Sequence, residues 1–146
     1  MTKIIPELLE AFRQLSEGES KWPLLLYGPP GTGKTCASLA LCDYCATAAY
    51  RTTDQLRDEI STRKVNWKWI ADSSLAVLDE LALRTDAKDF DYTAVKQFAD
   101  RRDHKPTIYI TNVDPIDLAR IYDDRVHSRV CCGTWFHLSG EDRRMK

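Results

Sequence analysis

Apolar positions recur along the chain with two different periods. Ile4, Ile5, Leu8, Leu9, Phe12 and Leu15 are spaced three and four apart, the stripe of an amphipathic helix. Ser16-Glu17-Gly18-Glu19-Ser20 ends that helix. Short continuous apolar runs come next. One strand is expected over 22–27, closing on Leu24-Leu25-Leu26-Tyr27. Leu75-Ala76-Val77-Leu78, Thr107-Ile108-Tyr109-Ile110-Thr111 and Trp135-Phe136-His137-Leu138 predict three more. Unbroken runs of this kind suit strands of a parallel sheet that is covered on both faces.

The segments between these runs predict helices. One runs from Cys36 to about Ala48, followed by a short strand near Ala49–Arg51. A capped helix covers Thr53–Ile60, with Thr53 or Asp54 at the cap. The segment Asn66–Ala71 fits no single period. Phe90–Arg102 reads as a helix with Tyr92, Val95, Phe98 and Ala99 inward. Asp114-Pro115 opens a short helix with proline at its first position, and Asp123–Val130 forms another. Strands alternating with helices predict a three-layer α/β domain with a central parallel sheet. Ligands of such sheets sit at the carboxyl ends of the strands.

Candidate chemistry begins where the first strand ends. Gly28-Pro29-Pro30-Gly31-Thr32-Gly33-Lys34-Thr35 fits G-x-x-x-x-G-K-[ST], the phosphate-binding loop, in its required strand–loop–helix context. Glycines let successive backbone N–H groups turn inward as an anion nest. The following helix, with Cys36 in its first turn, adds its free N–H groups and positive dipole end. On this reading residues 28–36 hold a triphosphate, Lys34 reaches the β- and γ-phosphates, and the Thr35 hydroxyl ligates Mg²⁺.

Two further strand ends add to the picture. Asp79-Glu80 follows the Leu75–Leu78 run. Asp79 is placed to hold hydrated Mg²⁺ and Glu80 to polarise an attacking water. Asn112 follows the next strand, where an amide can hydrogen-bond both a phosphate oxygen and that water. Taken alone, Asn112 before Asp114-Pro115 also reads as a turn residue. Arg125 and Arg129 lie four apart. Either one could supply positive charge to a neighbouring subunit's γ-phosphate, or both could form a solvated helix face. Spacing does not choose between these.

Composition bounds the answer. The 146 residues predict one domain, and 43% apolar content is enough for one core. A net charge of −1 gives no bulk attraction to nucleic acid or anionic membrane, so any nucleic-acid contact must come from a local patch. No apolar run approaches a membrane span, and Glu7 and Glu10 interrupt any signal-peptide core. Five cysteines (Cys36, Cys42, Cys45, Cys131 and Cys132) are an odd number, which suggests reduced thiols in the cytoplasm. Small apolar packing is expected of them rather than a zinc site, since the second pair lacks ligand spacing.

These pieces in this order resemble the AAA+ ATPases, and within them the DnaC-type helicase-loader and IstB-type transposition-helper branch. The residues that carry the resemblance are the loop Gly28–Thr35, Leu78-Asp79-Glu80, Ile110-Thr111-Asn112, Asp124–Arg129, and Leu138–Arg144. The resemblance implies a P-loop NTPase fold, with residues 1–20 as an amino-terminal helix and 21–146 as the nucleotide-binding core. The helical lid domain usual in that family is not found in this sequence, nor is its sensor arginine. ATP, Mg²⁺ and ATP hydrolysis are implied, with Glu80, Lys34 and Asn112 catalytic and Arg129 acting in trans as the finger. An ATP-dependent homo-oligomer is implied too, together with DNA or a DNA-bound protein such as a helicase or transposase. Arg143 and Arg144 are further candidates for nucleotide contact.

In initiator-like members the region after the second strand touches single-stranded DNA. Here that region holds Arg57, Arg63, Lys64, Trp67, Lys68 and Trp69, a basic and aromatic mixture suited to backbone charge and base stacking. The alternative is one core tryptophan among solvated lysines. At the level of function, the alternative to a hydrolase is an ATP-switched oligomeric interaction module. A small-molecule kinase has no use for Asp79-Glu80 and Ser128-Arg129.

Overall fold

The computed structural model describes residues 4–83 and 87–139. Seven helices and five strands are found there. They are α1 (Pro6–Ser16), β1 (Leu24–Tyr27), α2 (Lys34–Cys42), β2 (Ala48–Thr52), α3 (Thr53–Ser61), α4 (Trp67–Asp72), β3 (Leu75–Leu81), α5 (Ala87–Arg101), β4 (Thr107–Thr111), α6 (Pro115–Ile121), α7 (Asp124–Cys131) and β5 (Thr134–His137). The strands form one parallel sheet in the order β2-β3-β4-β1-β5.

The period of two along each central strand divides the core into two halves. Leu24, Leu26, Leu75, Val77, Ile108 and Ile110 face α1 and α2, together with Leu8, Phe12 and Leu41. Leu25, Ala76, Leu78 and Tyr109 face the other way, onto Leu56, Ile70, Val95, Phe98, Leu118 and Val126 of α3 to α7. These strands read as unbroken apolar runs because both of their faces are covered. β5 lies at the sheet edge, and its side chains alternate between half-buried and exposed.

Helix starts follow local capping chemistry. Asp114 accepts from the Ile116 N–H at α6, and Asp123 accepts from the Val126 N–H at α7. Asn66 accepts from the Trp69 N–H, which resolves the ambiguous segment as the short helix α4. Several boundaries differ from expectation: β1 begins at Leu24 rather than at 22, β3 runs on to Leu81, and α5 begins at Ala87 rather than Phe90. The cap of α3 is Thr52, not Thr53 or Asp54. Thr52 and Gln55 form a reciprocal capping box, while Thr53 is buried and used elsewhere. The helix after the phosphate loop ends at Cys42, well before Ala48. Tightening bonds from Asp43, Tyr44 and Cys45 back to Ala40, Leu41 and Cys42 close it. Ala48 is then free to open β2, paired with Leu75 of β3. Long-range pairing thus overrides a locally helical pattern.

No described helix is long and apolar enough to cross a membrane.

Candidate nucleotide site

The loop between β1 and α2 is shaped by what lies beneath it. Leu138 donates its N–H to Tyr27 O at 2.8 Å, which brings the end of β5 against the start of the loop. Gly28 sits there with φ 150°, and a Cβ at that position would lie 2.1 Å from Leu138 O. Only glycine fits. Gly33 has φ 86° and forms the left-handed N-cap from which α2 departs.

Lys34 is the first residue of α2 and is buried. Its Nζ donates to Gly28 O at 2.9 Å, to Pro29 O at 2.7 Å and to Thr32 Oγ1 at 3.2 Å. Thr32 in turn donates to Pro29 O at 3.0 Å. The loop therefore closes around its own ammonium group. Desolvation pulls the Lys34 pKa below its ordinary value, and the nearby Asp79 charge works against that shift.

Asp79 is 2% exposed and fully engaged. Its Oδ2 accepts from Thr35 Oγ1 at 2.6 Å and from the Tyr50 hydroxyl. Its Oδ1 accepts from the Glu80 N–H at 2.7 Å. The β3–β4 register slips here: Leu78 pairs with Tyr109, but Leu81 pairs with Thr111. That extra residue on β3 is a bulge, and bulges re-aim side chains next to active sites. Glu80 lies in it with φ 63°, exposed at the strand end. Thr53 Oγ1 donates to Glu80 O at 3.0 Å and pins this strained backbone. Desolvation raises the Glu80 pKa, and the Asp79 and Asp54 charges add to it. Thr111 Oγ1 ties the end of β4 to Leu81 O at 2.8 Å, and the exposed Asn112 follows it.

These groups converge on one cleft of about 280 Å³ at the carboxyl ends of β1, β3 and β4. Pro30, Gly31, Gly33, Lys34, Thr35, Cys36, Asp79, Glu80 and Asn112 line it, with Leu81, Leu83, Ile110 and Thr111. Gly28, Pro29 and Thr32 lie behind the lining and hold Lys34. A hydroxyl and a carboxylate in contact are hard oxygen donors. They suit Mg²⁺, which takes one or two protein oxygens and completes its shell with phosphate and water.

Arg129 is not at this cleft. It lies on α7, with Nε 3.2 Å from Asp100 Oδ1 and Nη1 3.0 Å from Asp103 Oδ2 of the α5 end. Arg125 stands 3.6 Å from the same Asp100. Partial burial works against the Asp100 carboxylate, but Lys96, Arg129 and Arg125 outweigh it and hold its pKa below the ordinary value. Both arginines line a separate hollow of about 390 Å³ with Asp103, His104, Ser128 and Cys132. Arg143 and Arg144 lie outside the described residues.

The basic and aromatic segment divides. Trp67 packs on the core, with the Arg101 guanidinium 3.9 Å from its ring centroid. Lys68 pairs with Asp72 at 2.9 Å. Arg57 faces Asp54, Asp58 and Asp91. Trp69 is 41% exposed, and Arg63 and Lys64 are exposed beside it. Cys42, Cys45 and Cys131 pack against the two core halves, whereas Cys36 and Cys132 are exposed.

Tyr50 and Thr53 are site residues that sequence reasoning does not find. A tyrosine in a strand reads as core, and Thr53 reads as a cap. Only the β2–β3 pairing brings both to the acidic pair.

No protein-family model and no curated protein matches the chain. Solved structures do match. AMPPCP-bound DnaA from Aquifex aeolicus aligns at TM-score 0.70 and 18% identity, over 94% of this chain and 47% of that one. The replication initiator DnaA bound to AMPPCP and single-stranded DNA aligns at TM-score 0.71 and 18% identity, over the same shares. DnaI aligns at TM-score 0.64 and 19% identity, over 92% of this chain and 83% of that one. The chain thus spans about half the length of the DnaA chains it matches. Its α/β fold, with a five-stranded parallel sheet behind a phosphate-type loop, is the fold of these DnaA and DnaI structures.

Proposed function

We propose that this chain binds ATP·Mg and hydrolyses it as an AAA+ protein of DNA replication or transposition, in the manner of a helicase loader or helper ATPase. The observation that carries the reading is convergence. Lys34, Thr35, Asp79, Glu80 and Asn112 come from the first turn of α2 and the ends of β3 and β4, and all line a single cleft. The AMPPCP and single-stranded DNA of the DnaA structures support a nucleotide and a DNA-linked role.

Phosphate charge displaces the weaker carbonyl partners of Lys34, because charge-assisted hydrogen bonds to an anion are stronger. The loop amides and the α2 N-terminus share the remaining charge. Thr35 and Asp79 would hold hydrated Mg²⁺, which would supply positive charge to the phosphates. Glu80 projects from the bulge and orients the attacking water. Asn112 hydrogen-bonds that water and the γ-phosphate. Arg129 serves the cleft of an adjacent copy.

Glu80→Gln tests the reading. It keeps size and hydrogen bonding but loses the negative charge. ATP·Mg affinity by calorimetry should stay within about twofold, while turnover falls about 100-fold or more, as for loss of a general base. Wild-type turnover in Glu80→Gln removes the role of Glu80. Tight binding with negligible turnover in the wild type replaces hydrolysis with an ATP-switched interaction module. No binding by the wild type ends the nucleotide reading.

A further inference from the structure

We propose that Tyr50 is a positioning residue for the magnesium site: its hydroxyl locks the Asp79 carboxylate in the orientation that makes Thr35 present its oxygen lone pairs to the cation. This rests on the nucleotide reading and adds a residue to it.

The geometry builds up from sheet register. β2 runs parallel to β3, with Tyr50 opposite Val77 and Thr52 opposite Asp79. Tyr50 is therefore one same-face step short of the carboxylate. Its ring lies half-buried against the core half that holds α2. A phenylalanine would fill that space equally well. What tyrosine adds is the hydroxyl, which donates to Asp79 Oδ2.

The same oxygen also accepts from Thr35 Oγ1 at 2.6 Å. A carboxylate oxygen has two lone-pair directions. Tyr50 takes one and Thr35 the other. Oδ1 is held by the Glu80 N–H at 2.7 Å. With three donors from three separate segments, the buried carboxylate cannot rotate. Thr35 then has one direction for its proton, toward Asp79, and its lone pairs remain for a metal in the cleft. Without the Tyr50 hydroxyl, Oδ2 has a free lone pair in a buried place. Asp79 then turns or recruits water, and Thr35 loses its fixed acceptor. Groups that orient metal ligands in this way change metal affinity 10–100-fold when removed.

The test is Tyr50→Phe, read by binding of a fluorescent ATP analogue. In EDTA its affinity should match wild type within about twofold, since the phosphate loop is untouched. The Mg²⁺ concentration that half-saturates the metal-dependent gain in binding should rise about tenfold. In an Asp79→Asn background the same substitution should change analogue binding in Mg²⁺ by less than about twofold, because Tyr50 acts only through the carboxylate. An unchanged midpoint in Tyr50→Phe overturns the proposal. So does an equal loss with and without Mg²⁺, which marks a packing role alone. If wild type binds no analogue in either condition, the nucleotide reading fails and takes this proposal with it. If wild type binds and Tyr50→Phe behaves identically, only the role of Tyr50 fails.

Discussion

Cys36 and Cys132 are exposed, while Cys42, Cys45 and Cys131 are packed against the core halves. Thiolate is the reactive form, so burial suppresses alkylation twice, through access and through pKa. Desolvation pushes the Cys42 thiol up to about 11 and the Cys131 thiol up to about 12. At pH 8 both are almost wholly protonated. Iodoacetamide followed by mass spectrometry should therefore label Cys36 and Cys132 well before the other three. Cys36 also lines the cleft, one residue beyond Thr35. Saturating ATP·Mg should slow labelling of Cys36 severalfold and leave Cys132 unchanged. Equal slowing of both would point to a general tightening of the chain. No slowing at Cys36, with binding confirmed by calorimetry, would take Cys36 out of the nucleotide contact set.

Among the elements, α4 shows how a short helix is held in place. It has six residues, too few to stand alone in water. Arg102, just beyond α5, is 2% exposed and serves its carbonyl end. The guanidinium donates to Ile70 O, Ala71 O and Ser73 O at 2.8–3.1 Å, and to Pro106 O and Thr107 Oγ1 at the start of β4. Three nitrogens reach five acceptors, with Nη1 sharing its two N–H groups among three carbonyls, and the planar fork suits that task better than an ammonium group. Arg102→Met keeps the aliphatic stem but strands buried carbonyls. Urea unfolding should show a loss of about 3 kcal/mol. A loss under 1 kcal/mol would mean that water replaces the guanidinium without cost. The same elements show what a sequence carries. Buried runs such as Leu75–Leu78 and caps such as Asp123 are local signals, and they predict β3 and α7 well. The end of α2 is not local, because the β2–β3 pairing sets it. Tyr50 is hidden for the same reason. The phosphate loop, Asp79, Glu80 and Asn112 are legible because each stands at a strand end. The partners of their side chains come from elsewhere in the chain.

At the scale of the whole molecule, the position of Arg129 poses the main question. It belongs to the α5–α7 surface, apart from the cleft lined by Lys34 and Glu80. A role in hydrolysis therefore requires a second copy. Its pairs with Asp100 and Asp103 are partly exposed, and such pairs are worth about 1 kcal/mol or less each. On the proposed trans role, contact with a neighbour's phosphate would offset that loss, so the pairs would not prevent it. Mixing two inactive variants separates a trans finger from a local role. On the proposed reading, Glu80→Gln keeps Arg129 but lacks the carboxylate that orients water. Arg129→Ala keeps an intact cleft but lacks the finger, and alone its turnover should fall about 1,000-fold with ATP affinity preserved. On the trans reading, Arg129 of a Glu80→Gln copy would face the intact cleft of an Arg129→Ala copy in a mixed assembly. Turnover should then recover to a sizeable fraction of wild type and rise with protein concentration. Absence of recovery, in mixtures shown by light scattering to co-assemble, would assign Arg129 to the α5–α7 surface alone. The completing charge would then have to come from a different residue or from a partner protein.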